Sequence, residues 1–107
     1  METAAASEEL LIEHHYLKKS ALVFRAVNNK VRIHILQLLH EHPKLTVTSL
    51  FIKLRLDQSA TSQHLAILRK TGFVHTQREG KCIYYSLNPR RLDELHHCAQ
   101  QLIKPRE

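Results

Sequence analysis

Apolar residues recur along this chain first at helical spacing and then at strand spacing. From Ser7 to Val27, Leu10, Leu17 and Phe24 stand seven apart, with Leu11, Ala21 and Val27 beside them, which gives a stripe of helical period. Ser7 followed by Glu8 and Glu9 is a helix start, a capping hydroxyl and then acids at the positive end of the dipole. The stripe is wide for a single exposed helix and points to a partner helix. Asn28 and Asn29 break the pattern and offer a new cap. Lys30 to Glu41 predicts the core helix, with Ile35, Leu36, Leu38 and Leu39 inward and Pro43 as its stop. Leu45 and Thr46 fit a very short strand. Val47 to Arg55 predicts a short third helix on Leu50, Phe51 and Leu54. Leu56 and Asp57 then make a tight connection, and Asp57 is placed to cap a fourth helix, Gln58 to Thr71. Its inner face is Ala60, Leu65 and Leu68, joined by Ile67, and Gly72 stands where a left-handed terminator belongs.

Beyond Gly72 the character changes. Phe73 to Gln77 and Cys82 to Leu87 are rich in β-branched and aromatic residues, and Arg78-Glu79-Gly80-Lys81 between them reads as a turn, so a β-hairpin is predicted. Asn88 and Pro89 open a last helix, Arg90 to Ile103, with Leu92, Leu95, Ala99 and Leu102 on one face and Pro105 beyond its end. The predicted fold class is mainly α with a β-hairpin wing, in the order helix, helix, short helix, tight turn, helix, hairpin, helix. One domain over residues 1–107 is expected, with residues 1–6 disordered. The stripes of the first and last helices exceed what a three-helix core covers. A homodimer is therefore expected, built on Leu10, Leu11, Leu17, Leu92, Leu95 and Leu102.

Composition narrows the partners. Lysine and arginine number 16 against 10 acids, a net charge of +6, and the isoelectric point is about 9.6, so a polyanion is favoured. Apolar runs are only a few residues long, which excludes a transmembrane helix, and the small, acidic start lacks a signal peptide's basic and apolar regions. Two cysteines make no disulfide framework. A cytoplasmic chain with reduced thiols and no membrane partner is expected, with Cys82 and Cys98 as small buried apolar side chains. There is no glycine-rich phosphate loop, nucleophile elbow or zinc-hydrolase motif, so no enzyme is expected.

Two helices joined by a tight turn form a helix-turn-helix, whose second helix normally enters the DNA major groove. Here that helix would expose Gln58, Ser59, Thr61, Ser62, Gln63 and His64 in its first two turns, side chains that exchange hydrogen bonds with base edges or phosphates. It carries no acid from Gln58 to Thr71, and Arg69 and Lys70 add positive charge at its far end. Arg78 and Lys81 make the hairpin tip cationic, suited to the backbone beside the groove. Double-stranded DNA is the expected partner. A winged-helix protein-docking module is the other reading, and a nonspecific architectural protein is disfavoured by the mixed Ser/Thr/Gln/His face.

The stretch Ser59-Ala-Thr-Ser-Gln-His-Leu-Ala-Ile-Leu-Arg-Lys-Thr-Gly-Phe-Val resembles the recognition-helix signature of the ArsR/SmtB family of winged helix-turn-helix transcriptional regulators. Arg78-Glu-Gly-Lys-Cys-Ile-Tyr-Tyr-Ser-Leu is similar to that family's wing, and Val31-Arg-Ile-His-Ile-Leu to the opening of its core helix. The resemblance runs roughly from Val27 to Leu87. It implies a sequence-specific repressor, acting as a homodimer of first and last helices on an imperfect inverted repeat and released by a signal, commonly a metal ion. Two family metal sites depart from pattern here. Where many members carry Cys-x-Cys on the third helix, this chain has Thr48-Ser49-Leu50. On the last helix Asp93 and His97 share a face, but the family's second histidine pair falls on Gln100, Gln101 and Ile103. Asp93 and His97 remain as candidate ligands; no cofactor is expected, and the effector is left open.

Overall fold

The structure is a computed structural model that describes residues 13–105. The expectations for Ser7, Leu10, Leu11 and residues 1–6 lie outside the described residues. The elements are α1 (His14–Val27), α2 (Lys30–Glu41), β1 (Leu45–Thr46), α3 (Val47–Leu54), α4 (Gln58–Lys70), β2 (Val74–Glu79), β3 (Cys82–Leu87) and α5 (Pro89–Ile103). This is the order read from the sequence.

Short polar side chains set the helix starts. The Asn29 side chain accepts from Arg32 N, Thr46 from Ser49 N, Asp57 from Ala60 N and Asn88 from Arg91 N. Each satisfies an amide that has no partner within its helix. Two helices end on left-handed residues. At the end of α4, Gly72 has φ +88°, Phe73 N–H donates to Leu68 O and Gly72 N–H to Arg69 O. That pair of bonds is a Schellman motif, and it turns Phe73 into the core against Leu68. At the end of α3 the same two bonds run from Leu56 N to Phe51 O and from Arg55 N to Ile52 O. Here the left-handed position is held by Arg55, at φ +58°.

The core is one cluster of Ala26, Ile35, Leu39, Leu50, Leu65, Leu68, Phe73 and Val74, drawn from α1 to α4 and the start of the hairpin. Leu36, Leu38, Leu54, Leu92 and Leu95 pack around it half-buried. Ile67, expected on the inner face of α4, is exposed; the buried stripe there is Thr61, Leu65 and Leu68, spaced four and three apart.

The sheet has three antiparallel strands in the order β1-β3-β2. Leu45 pairs with Tyr85 and Thr46 with Tyr84, so the two-residue strand anchors the hairpin to the helical body. The hairpin turn is tighter than the sequence suggested. Arg78 and Glu79 pair with Ile83 and Cys82, which leaves Gly80 and Lys81 as the loop. Gly80 has φ +64° while Lys81 does not enter the positive-φ region, the pattern of a type II′ turn. Among the described residues no helix is long and apolar enough to cross a membrane.

Candidate DNA-binding surface

Helix α4 is held at both ends, and its exposed side carries no acid: apart from Ala66 and Ile67 it is polar or basic. At its start the Asp57 carboxylate accepts from Ala60 N at 2.7 Å. At its end α5 grips the terminator: Arg91 Nε donates to Thr71 O at 2.9 Å, Asn88 Nδ2 to Gly72 O at 2.8 Å, and the Arg91 guanidinium stands 5.5 Å from the Phe73 ring centre. These bonds satisfy carbonyls that the helix end leaves free and fix the angle at which α4 leaves the core.

Gln58, Ser59, Ser62 and Gln63 are exposed on the first two turns, and Arg69 and Lys70 on the last. Positions 59, 62, 63 and 66 fall on one side at helical spacing. Thr61, expected among the exposed residues, is not one of them. It is fully buried at 0%, with its hydroxyl donating to Asp57 O at 3.0 Å. Lying four before Leu65 and seven before Leu68, it belongs to the core stripe and is removed from the set of DNA-facing residues.

His64 is half-buried and bridges to another helix, its Nδ1 lying 3.1 Å from an Arg32 terminal nitrogen of α2. Partial burial first, and the Arg32 charge second, hold its imidazole below the ordinary value of 6.5. It is therefore neutral at neutral pH. Sequence patterning gave no sign of Arg32, because the pair is 32 residues apart.

The wing stands beside this helix in the fold. Arg78 and Lys81 are exposed at its tip. Glu79, the acid between them, is drawn to Lys44 at 2.6 Å, and Lys44 also lies 4.7 Å from the Tyr84 ring centre. Tethering that carboxylate leaves the two tip cations as the dominant charge.

The remaining candidates separate. Asp93 and His97 are exposed on α5, and among the described residues no three His, Cys, Asp or Glu gather to hold a metal ion. Cys82 and Cys98 are exposed free thiols, contrary to the expectation of burial. Each lies on an outward position of its amphipathic element. Leu17 and Leu102 are exposed, at 57% and 64%. A groove of about 820 Å³ lies between α1 and α5, lined by Ala21, Phe24, Val27, Leu92, Leu95 and Ala99 among others.

A helix-turn-helix whose second helix shows an acid-free polar face, with a cationic β-wing beside it, defines a winged-helix DNA-binding transcriptional regulator. Comparison with known proteins places it further. Residues 29–76 match the bacterial regulatory protein, arsR family. The transcriptional activator HlyU of Vibrio cholerae is 40% identical over 70 residues, which span 65% of this chain and 64% of that protein, just under two thirds of its length. The transcriptional repressor PagR of Bacillus anthracis is 35% identical over 77 residues, 72% of this chain and 77% of that protein. The solved structure of HlyU from Vibrio cholerae superposes with a TM-score of 0.64 at 31% identity, covering 87% of this chain and 100% of that one. The chain belongs to the arsR family of bacterial regulatory proteins.

Proposed function

We propose that this regulator is a cytoplasmic repressor that binds an inverted repeat as a two-fold homodimer. Helix α4 reads bases with Ser59, Ser62, Gln63 and His64, while Gln58, Arg69, Arg78 and Lys81 meet the phosphates. The observation that carries the reading is the exposed face of α4, which has no acid over Gln58–Lys70 and is flanked by the wing cations. Base edges offer hydrogen bonds to such side chains, and phosphates reward the missing negative charge.

The dimer is supported by apolar surface left uncovered on α1 and α5. Leu17, Leu22, Leu102 and Ile103 are exposed, and Leu92 and Leu95 are only half-covered by the core. A two-fold partner meeting these helices would set two α4 helices about 34–36 Å apart, one turn of DNA. Repression then follows from occupancy of the promoter. No metal or cofactor enters this reading, and regulation involves no catalytic step.

The test is binding of the full chain to a duplex selected from a random pool, followed by fluorescence anisotropy across a salt series. A repressor of this kind prefers the selected duplex over random DNA by about 10³-fold or more, and its log affinity falls linearly with log salt. Equal, weak and salt-insensitive binding to both duplexes would point instead to a protein-docking module.

A further inference from the structure

Among the described residues, His64 is the one on the reading side of α4 whose side chain is tied to another helix. Among the described residues Gln58, Ser59, Ser62 and Gln63 make no side-chain hydrogen bond. The tie comes from Arg32, whose guanidinium is held on three sides. Its Nε donates to Ala26 O at 2.6 Å, one terminal nitrogen to Arg25 O at 3.3 Å, and the other stands 3.1 Å from His64 Nδ1. Both carbonyls belong to the last turn of α1, where helix carbonyls lack partners within the helix.

We propose that Arg32 is a positioning residue for DNA reading: it fixes His64 as the tautomer protonated on Nε2, so that His64 meets DNA only as a hydrogen-bond donor. The argument is one of inventory. A guanidinium has five N–H donors and no acceptor, so the nitrogen facing it must offer a lone pair. His64 Nδ1 is therefore unprotonated, and the ring's single proton sits on Nε2. That atom has no partner among the described residues.

A fixed N–H donor discriminates. It pairs with purine N7, guanine O6, thymine O4 or a phosphate oxygen, and is rejected by the amino groups of cytosine and adenine. An imidazole free to exchange tautomers would accept either pattern. The same guanidinium also joins the carboxyl end of α1 to the reading helix, so a shift of α1 is felt at His64. The inference rests on α4 being the DNA-reading helix.

The experiment uses the full chain labelled with ¹⁵N-histidine. The His64 ring signals are assigned by their loss in His64→Gln. At neutral pH the wild type is expected to show a protonated Nε2 and a bare Nδ1, and Arg32→Gln a mixture of tautomers. A wild-type ring protonated on Nδ1, or one already mixed, overturns the proposal, as does an Arg32→Gln spectrum with unchanged ring signals. If Arg32→Gln fails to fold, the wild-type spectrum decides alone. On a duplex selected by the wild type, His64→Ala should cost on the order of tenfold in affinity. In an Arg32→Gln background it should cost less than in the wild type, reduced in proportion to the fraction of rings that no longer carry the Nε2 proton. Fully additive losses overturn the coupling. The expected tautomer in a protein with no duplex preference would overturn the DNA-facing role while leaving the Arg32–His64 coupling in place.

Discussion

Asp57 is the acid nearest the acid-free helix, and it serves two ends that substitution separates. Its carboxylate caps α4 through Ala60 N at 2.7 Å, and its negative charge sits at the helix's positive end, yet also where DNA would approach. Asp57→Ala removes both cap and charge. Loss of the capping oxygen costs about 1 kcal/mol, and loss of the charge at the helix start about 0.3–1 kcal/mol more. The sum, about 1–2 kcal/mol, lowers Tm by roughly 5–15 °C in a domain of this size. Asp57→Asn keeps an amide oxygen for Ala60 N and loses only the charge, so it should lose less than half as much. On DNA the order reverses. Asp57→Asn should bind any duplex more tightly than wild type at low salt, by up to about fivefold, and the gain should vanish near 1 M salt, where the screening length is about 3 Å. Differential scanning calorimetry at one fixed protein concentration reads the first effect, and anisotropy in a salt series the second. Equal loss of Tm in the two variants would refute the capping role. Unchanged low-salt affinity in Asp57→Asn would refute the placement of this helix end beside phosphates.

Further expectations divide the surface by role. Gln63→Ala should reduce preference for the selected duplex over random DNA by about 1–3 kcal/mol, whereas Arg78→Ala should weaken both alike and lower the salt slope by about one; identical behaviour of the two variants would contradict the division between helix and wing. His64 imposes a pH dependence on stability. Its folded value lies below the ordinary 6.5, so the unfolded chain takes up its proton first as the solution is acidified. The stabilisation is complete above that ordinary value, is lost as pH falls from it, and levels off below the folded value. Urea midpoints should therefore drop over that mildly acidic window by more in wild type than in His64→Gln, and parallel curves would contradict it. Cys82 is exposed on the wing, so a thiol reagent should modify it in the native protein without denaturant; protection until unfolding would contradict that exposure.

Much of this architecture was legible because local and tertiary preferences agree. Asn29, Asp57 and Asn88 cap the helices they precede in the sequence, and Gly72 and Gly80 take positive φ where a terminator and a turn were read. Even the two-residue strand Leu45–Thr46 formed as expected, since β3 offers it a partner. What escaped depends on direction or distance. The polarity of Thr61 suggests a reading residue, yet its spacing to Leu65 and Leu68 marks it as core, and its hydroxyl is satisfied by the Asp57 carbonyl. Polarity misled because a buried threonine is stable once its single donor is paired. The grip of Arg32 on His64 joins helices far apart in sequence, and no periodicity signals it. The terminator of α3 was hidden because Arg55, not glycine, occupies the left-handed position.

Mapping amide chemical shifts on adding the selected duplex to the ¹⁵N-labelled chain tests the account most directly. Changes concentrated at Ser59, Ser62, Gln63 and His64, with a second cluster at Arg78 and Lys81 and little at residues 48–53, are predicted. Changes gathered on α1 and α5, with α4 silent, would contradict it.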